Sequence, residues 1–231
     1  MNKYILIIGL LLLSITSKSQ VLISLLLGDK LNSEGLEFGM EGGVNWSGIS
    51  DLETSKRLLS INLGFYFDIR IKNQLNLYTG VLVKSNVGMN KLEMADLIFL
   101  GSEIYPEPGE YKQVVNKFMI PALLQYKFKN RFYIEVGPQI GLIHGGRVEF
   151  NAEEGDKIIK IKEDNNEMLN KFDAGLSGGF GYKLMKGNGL TVGLRYYQGF
   201  ADIYKDRSGT TNHSLNLKVN IPVGANKKEQ K

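Results

Sequence analysis

Apolar and polar residues alternate with a period of two in segment after segment of this chain. Over residues 36–46, Leu36, Phe38, Met40, Gly42, Val44 and Trp46 fall on one face, and Glu37, Gly39, Glu41, Gly43 and Asn45 on the other. Successive side chains of a strand point to opposite sides of its sheet, so such a strand is oily on one side and charged or minimal on the reverse. The pattern recurs over residues 61–70, 75–84, 118–128, 132–142, 172–182, 190–197 and 214–223. In the second segment Ile61, Leu63, Phe65, Phe67 and Ile69 oppose Asn62, Gly64, Tyr66, Asp68 and Arg70. Seven of the eight segments run 10 or 11 residues and 190–197 runs eight, near the length of about 9–11 that crosses a bilayer at a tilt.

The connections obey a parity. Tight turns follow the second, fourth and sixth segments, while long excursions follow the first, third and fifth, the longest covering residues 85–116 and 145–170. An even-stranded membrane barrel with both ends in the periplasm has short inner turns and long outer loops. Trp46, Phe118, Phe128, Phe132, Phe172, Tyr182 and Phe200 sit near segment ends on the oily side, where interfacial aromatic girdles belong. The pattern therefore predicts an all-β fold, an eight-stranded antiparallel up-and-down transmembrane β-barrel. A soluble lipocalin-like barrel alternates too, but with its apolar face inward. Glycines crowd the polar set here (Gly39, Gly43, Gly64, Gly80, Gly137, Gly175, Gly179, Gly181, Gly193), which suits a narrow lumen better than a watery exterior.

The segments outside the alternation divide the chain. Residues 1–19 read as a signal peptide: Lys3 supplies the positive start, residues 4–15 the apolar core, and Ser17 and Ser19 the small residues before a cut near Gln20. That apolar run is too short for a membrane-spanning helix, which needs about 20 residues. Residues 20–35, with apolar Val21 to Leu27, are expected as an N-terminal periplasmic segment, residues 36–224 as the barrel and residues 225–231 as a polar tail. With no cysteine, a disulfide framework, a thiolate metal site and a cysteine nucleophile are excluded. A net charge of +4 is mild for 231 residues and gives no nucleic-acid footprint.

Four ordered stretches resemble a known family. Phe118-Met119-Ile120-Pro121-Ala122-Leu123-Leu124-Gln125-Tyr126-Lys127-Phe128, followed by Phe132-Tyr133-Ile134-Glu135-Val136-Gly137-Pro138, is similar to the "IPLLLKYKF…FYxxxGP" pair of the PorT-like outer-membrane β-barrel proteins. Phe172 to Tyr182 resembles that family's "FDxGLxxGxGY" strand, and Leu194 to Phe200 its "ARYxxGL". The resemblance implies a porin-like protein of the Gram-negative outer membrane, and a link to protein secretion through the family's namesake.

An eight-stranded barrel is just wide enough for side chains to fill it. The inward set carries charges of both signs, including Lys84 and Lys127. We expect a lumen network among Glu41, Asp68, Arg70, Glu135, Arg195 and Lys218, centred on Glu41, Arg195 and Lys218 because closure makes the first and last strands neighbours. Buried charges must pair, and such a network is expected to keep the barrel shut. Function is sought in the loops. Residues 90–105 are expected to form a short helix ended by Pro106 and Pro108, with Leu92, Leu97, Phe99 and Tyr105 as candidate partner contacts. Residues 147–162 alternate again and predict a hairpin beyond the membrane with an edge another protein can pair with. His144 and His213 are the only histidines, and with Ser177 or Ser214 they offer the weak outline of a rim lipid enzyme.

The expectation is a small closed outer-membrane barrel, not an enzyme, serving as a scaffold or interaction protein and, by the resemblance, as a secretion accessory. A narrow pore for small solutes and a rim-histidine lipid-modifying enzyme are the alternatives. Expected partners are outer-membrane lipid and another envelope or secretion protein; no cofactor, metal or nucleic acid is expected.

Overall fold

A computed structural model of the chain describes residues 35–154, 157–184 and 189–223. The expected signal peptide, the N-terminal segment up to residue 34 and the polar tail lie outside the described residues. The described elements are β1 (Leu36–Ile49), β2 (Leu58–Lys72), β3 (Leu75–Asn90), α1 (Met94–Leu100), β4 (Gly109–Lys127), β5 (Phe132–Glu154), β6 (Lys157–Asp164), a 3-10 turn at Asn166–Met168, β7 (Phe172–Lys183), β8 (Thr191–Asp202) and β9 (Thr211–Pro222).

Eight of these strands close into a ring in the order β1-β2-β3-β4-β5-β7-β8-β9, each antiparallel to its neighbours. The ring is sealed by β9 against β1, where Met40 faces Ile221 and Trp46 faces Leu215. The fold is thus the expected all-β up-and-down barrel, and β6 stands outside the ring, paired with the outer half of β5. The short turns and both barrel ends share one rim; the long loops share the other.

The wall is inside out relative to a water-soluble protein. Glu41, Asp68, Glu135, Asp173, Arg195 and Lys218 are buried, while Ile61, Val136 and Phe172 are 52 %, 59 % and 65 % exposed. So continuous an apolar belt far exceeds the few hundred Å² of patch that a soluble monomer shows. Closed antiparallel pairing leaves the ring without a free sheet edge, which is the condition for crossing lipid. Glycines on the lumen side make room for its aromatic rings: a Cβ at Gly181 or Gly193 would collide with the Tyr133 hydroxyl.

Two strands run further than the alternation indicated, and β5 continues unbroken into the hairpin expected over residues 147–162. The stretch expected as a loop over residues 85–116 is largely strand, with the β3–β4 ladder continuing to Asn90 opposite Lys112, and β5 extends to Glu154. Irregularities between Leu82 and Ser85 and between Asn116 and Lys117 explain the difference. A β-bulge puts two residues opposite one and flips the in–out parity beyond it. Past the first bulge Val87 and Met89 turn inward, and past the second Val148 and Phe150 do so. Lys84, read as a lumen residue, sits at the first bulge and is exposed. Above these bulges the barrel has an ordinary apolar core of Val87, Met89, Tyr111, Val115, Val148 and Phe150, joined by Leu97 and Leu100 of α1. The membrane part is polar inside; the part beyond it is apolar inside.

Candidate functional site

The centre of the lumen is filled by a charge network drawn from opposite walls. Arg195 of β8 donates from Nε to Glu135 Oε1 of β5 at 2.7 Å and from Nη1 to Glu41 Oε1 of β1 at 3.2 Å. Lys218 of β9 donates to Glu135 Oε2 at 3.1 Å, and Gln125 Nε2 donates to the same oxygen at 2.9 Å. The Tyr78 hydroxyl donates to Glu41 Oε2, and its ring lies 4.2 Å from Lys218 Nζ and 5.0 Å from the Arg195 guanidinium. β1 and β5 stand four strands apart around a ring of eight, so the chain of contacts Glu41–Arg195–Glu135 spans the lumen from wall to wall. Two carboxylates meet two cations, and all four are buried. Such burial is tolerable only because each charge has a partner of opposite sign.

Two further polar layers flank this one. Towards the long loops, the fully buried Lys117 pairs with Asp173, which also accepts from the Tyr197 hydroxyl at 2.7 Å and Asn212 Nδ2 at 3.3 Å. Towards the short turns, Asp68 pairs with Lys127 and accepts from Asn76 at 2.5 Å. There Glu37 accepts from the Tyr66 hydroxyl at 2.9 Å and lies 3.6 Å from Lys183. Of the six residues expected in one network, the structure brings together Glu41, Glu135, Arg195 and Lys218. It places Asp68 in the lower layer. Arg70 departs from expectation: it lies near the end of β2, is exposed, and forms no ion pair among the described residues. Tyr78 and Tyr133 were legible as inward residues, but nothing in the pattern marked the cations that stack on them.

The outer mouth is covered by interlocked loops. Asp96 of α1 is fully buried and accepts from the backbone N–H groups of Glu53 at 2.8 Å, Thr54 at 3.1 Å and Glu93 at 3.2 Å. It therefore ties the β1–β2 loop to the start of the helix. The helix ends at Gly101, whose φ of 63° is left-handed and suits glycine. Glu163 of β6 accepts from the Ser102 hydroxyl at 2.6 Å, the Tyr105 hydroxyl at 2.5 Å and the Glu103 N–H at 3.1 Å. Burial raises the Glu163 carboxyl, but the bonds from Ser102 and Tyr105 outweigh it and hold the group below the usual carboxylate range. Arg207 of the last long loop reaches Asp51 at 2.8 Å and lies 4.8 Å from the Phe99 ring, closing the cover.

This geometry revises the candidate contact residues. Leu92 and Leu97 are buried, Phe99 packs edge-on against Tyr204, and Tyr105 stacks on Phe150. All four hold the cover together rather than facing outward. The large apolar side chains that α1 and its loop leave exposed are Met94, Ile98 and Ile104. The hairpin expected over residues 147–162 is present as the β5–β6 pair. On its outer face Glu149 accepts from Arg147 Nε at 2.6 Å and pairs with Lys112 at 3.2 Å and Lys160 at 3.6 Å.

The histidines do not meet the proposed serines. His144 is exposed and stacks on Phe118 at 4.7 Å; Ser177 donates to Gln139 at 2.9 Å, and Ser214 accepts from Asn216 at 3.2 Å. Among the described residues, no group of three or more His, Asp or Glu side chains is placed to hold a metal ion.

A family model described as an outer membrane protein beta-barrel domain matches residues 27–205. No curated protein matches the chain. Among solved structures, Ail, the attachment invasion locus protein of Yersinia pestis, is similar at 9 % identity and a TM-score of 0.45, covering 80 % of this chain and 97 % of its own. Neisserial surface protein A is 12 % identical with a TM-score of 0.41, covering 81 % of this chain and 96 % of that one. OprG from Pseudomonas aeruginosa is 14 % identical with a TM-score of 0.31, covering 81 % and 91 %. The family match covers well over half of the chain, and the closed, inside-out wall meets the physical requirement independently. The chain belongs to the outer membrane protein β-barrel domain family, and its place is the outer membrane of a Gram-negative bacterium.

Proposed function

We propose that this protein is a closed barrel that holds a rigid extracellular cover in place as a scaffold for another envelope protein. The observation that carries this reading is the wall-to-wall chain Glu41–Arg195–Glu135, whose buried, paired charges fill the lumen cross-section. A pore for small solutes needs a path past these groups. Above them, the apolar core beneath α1 adds a second barrier. The buried Asp96 staple and the part-buried Glu163 staple supply the rigidity a docking platform needs. The resemblance to PorT-like barrels supports an envelope partner connected with secretion. The exposed Met94, Ile98 and Ile104 are the contact positions this reading favours.

The test is cross-linking in intact cells, followed by recovery of the barrel from outer-membrane fractions. With the unchanged chain a specific envelope protein is expected to be captured. A variant carrying Met94→Asp and Ile98→Asp should fractionate normally and lose that capture. Equal capture by both would remove the cover as the working surface.

A further inference from the structure

Among the described strands, β6 alone has a single neighbour, with β5 on one side and an open edge on the other. Its ladder with β5 is regular from Asp164 opposite Arg147 to Lys157 opposite Glu154. Just past it the Asn165 N–H donates to the Gly146 carbonyl at 3.1 Å. Backbone groups of alternate residues in an antiparallel strand point to opposite sides, so those of the odd-numbered residues face β5 and those of the even-numbered residues face away. Ile158, Lys160 and Lys162 therefore present their N–H and C=O groups at the open edge, and among the described residues no backbone bond from another segment reaches them. An unpaired edge of this kind is a template for a further strand.

The edge is fixed in its extended form before anything joins it. On its inner side Ile159 and Ile161 pack against the apolar core, and Glu163 is tied to Ser102 and Tyr105. On its outer side Ile158 is 77 % exposed, and Lys160 and Lys162 are exposed as well. The carboxylates of this outer face lie away from the middle of the edge. Glu110 of β4 is taken by Lys91 at 2.6 Å, Glu149 of β5 is shared by Arg147, Lys112 and Lys160, Glu153 lies opposite Ile158, and Asp164 lies opposite Arg147. Lys112, Glu149 and Lys162 form one row across β4, β5 and β6, a row that a carboxylate on the next strand would continue in alternating sign. Lys162 has no ion pair among the described residues, and Lys160 is only the third and longest cation contact of Glu149, at 3.6 Å. A second copy of β6 is a poor fit. The two antiparallel self-pairings of longest overlap that keep Ile159 and Ile161 inward set Lys160 against Lys160 or Lys162 of the copy, and like charges directly opposite are destabilising.

We propose that the open edge of β6 takes an acidic, extended segment of a partner protein by β-strand addition. Carboxylates two residues apart lie opposite Lys160 and Lys162, and an apolar residue lies opposite Ile158. Main-chain bonds at the even-numbered residues hold the segment, and the two lysines select it. This surface is separate from Met94, Ile98 and Ile104, and the inference stands whatever α1 contacts.

The test follows backbone amide shifts of the full chain, folded in detergent micelles, as the blocked peptide Thr-Glu-Val-Glu-Thr-Val-Thr is added to millimolar concentration. Saturable shifts centred on Ile158, Lys160 and Lys162 are expected. The same peptide with both glutamates N-methylated keeps its charge but loses the donors that face β6, and should bind at least about tenfold more weakly. A peptide with lysine in place of both glutamates should bind more weakly than the parent. Lys160→Gln combined with Lys162→Gln should weaken the parent peptide by about fivefold, as for two solvated ion pairs. Five results overturn the proposal: no saturable shifts; equal binding of the N-methylated peptide, which makes the lysines a site for any polyanion; equal binding of the lysine peptide; unchanged binding by the double variant; or shifts at β6 that follow the concentration of the barrel itself without a response to peptide, which assigns the edge to a second copy. The peptide comparisons use the unchanged chain, so the test does not rest on the folding of a variant.

Discussion

Replacing Glu135 with glutamine puts the central network under the most direct stress. Glu135 accepts from Arg195 Nε at 2.7 Å, Lys218 Nζ at 3.1 Å and Gln125 Nε2 at 2.9 Å. After Glu135→Gln, Arg195 keeps Glu41 at 3.2 Å, but Lys218 loses the one carboxylate it pairs with among the described residues. The side chains of Arg195 and Lys218 are each 2 % exposed, so water offers little relief. Breaking a buried pair from one side costs about 3–5 kcal/mol, because it strands the other charge. Adding Lys218→Met to Glu135→Gln removes the stranded charge and leaves Arg195 with Glu41, so about 2 kcal/mol should return as coupling between the two sites. Denaturant unfolding in micelles measures both, with Trp46, the single tryptophan, as a reporter on the outward face. A single-variant cost below about 1 kcal/mol, the magnitude of a solvated pair, together with plain additivity in the double variant, would refute a dry, interlocked plug.

The cover and its acid response give two more expectations. Asp96→Ala strands the N–H groups of Glu53, Thr54 and Glu93, a local loss of about 2–4 kcal/mol; limited proteolysis should cut the β1–β2 loop and the α1 segment faster while the barrel itself resists. Glu163 is held below the usual carboxylate range in the folded cover, so its contribution is complete above the unfolded carboxylate value and is lost as pH falls through the lower folded one. Protection of the Ser102 and Glu103 amides, measured against the intrinsic exchange rate at each pH, should therefore fall on the acid side, and Glu163→Gln should flatten that pH dependence.

The membrane-crossing wall was legible because two solvents enforce it: lipid on one side and packed polar groups on the other impose a period of two over some ten residues. Where that constraint ends, so does legibility. Past the bulge between Leu82 and Ser85 the parity flips, and a single frame read Lys84 as inward and residues 85–90 as loop. In β4, Val114 and Val115 are both buried, so no alternation marks the strand there. The central charges were predictable as inward, but not their pairing: Lys218 bonds to Glu135 on the opposite wall rather than to Glu41 across the seam. Arg70 was not, since inward parity near a strand end at the rim does not ensure burial. Of the cover only the β5–β6 hairpin left a periodic trace: Asp96 reaches Thr54 across 42 residues of sequence, a contact no local pattern marks. The stacking of Lys218 on Tyr78 and Tyr133 likewise depends on which strands face each other across the lumen.

The central claim is that the barrel is closed, and single-channel recording of the purified, folded protein in planar lipid bilayers tests it most directly. With the Glu41–Arg195–Glu135 chain intact and the cover in place, no steady conductance above the bare bilayer is expected at neutral pH. Reproducible ohmic steps from the unchanged protein would contradict it and make the lumen a water-filled path.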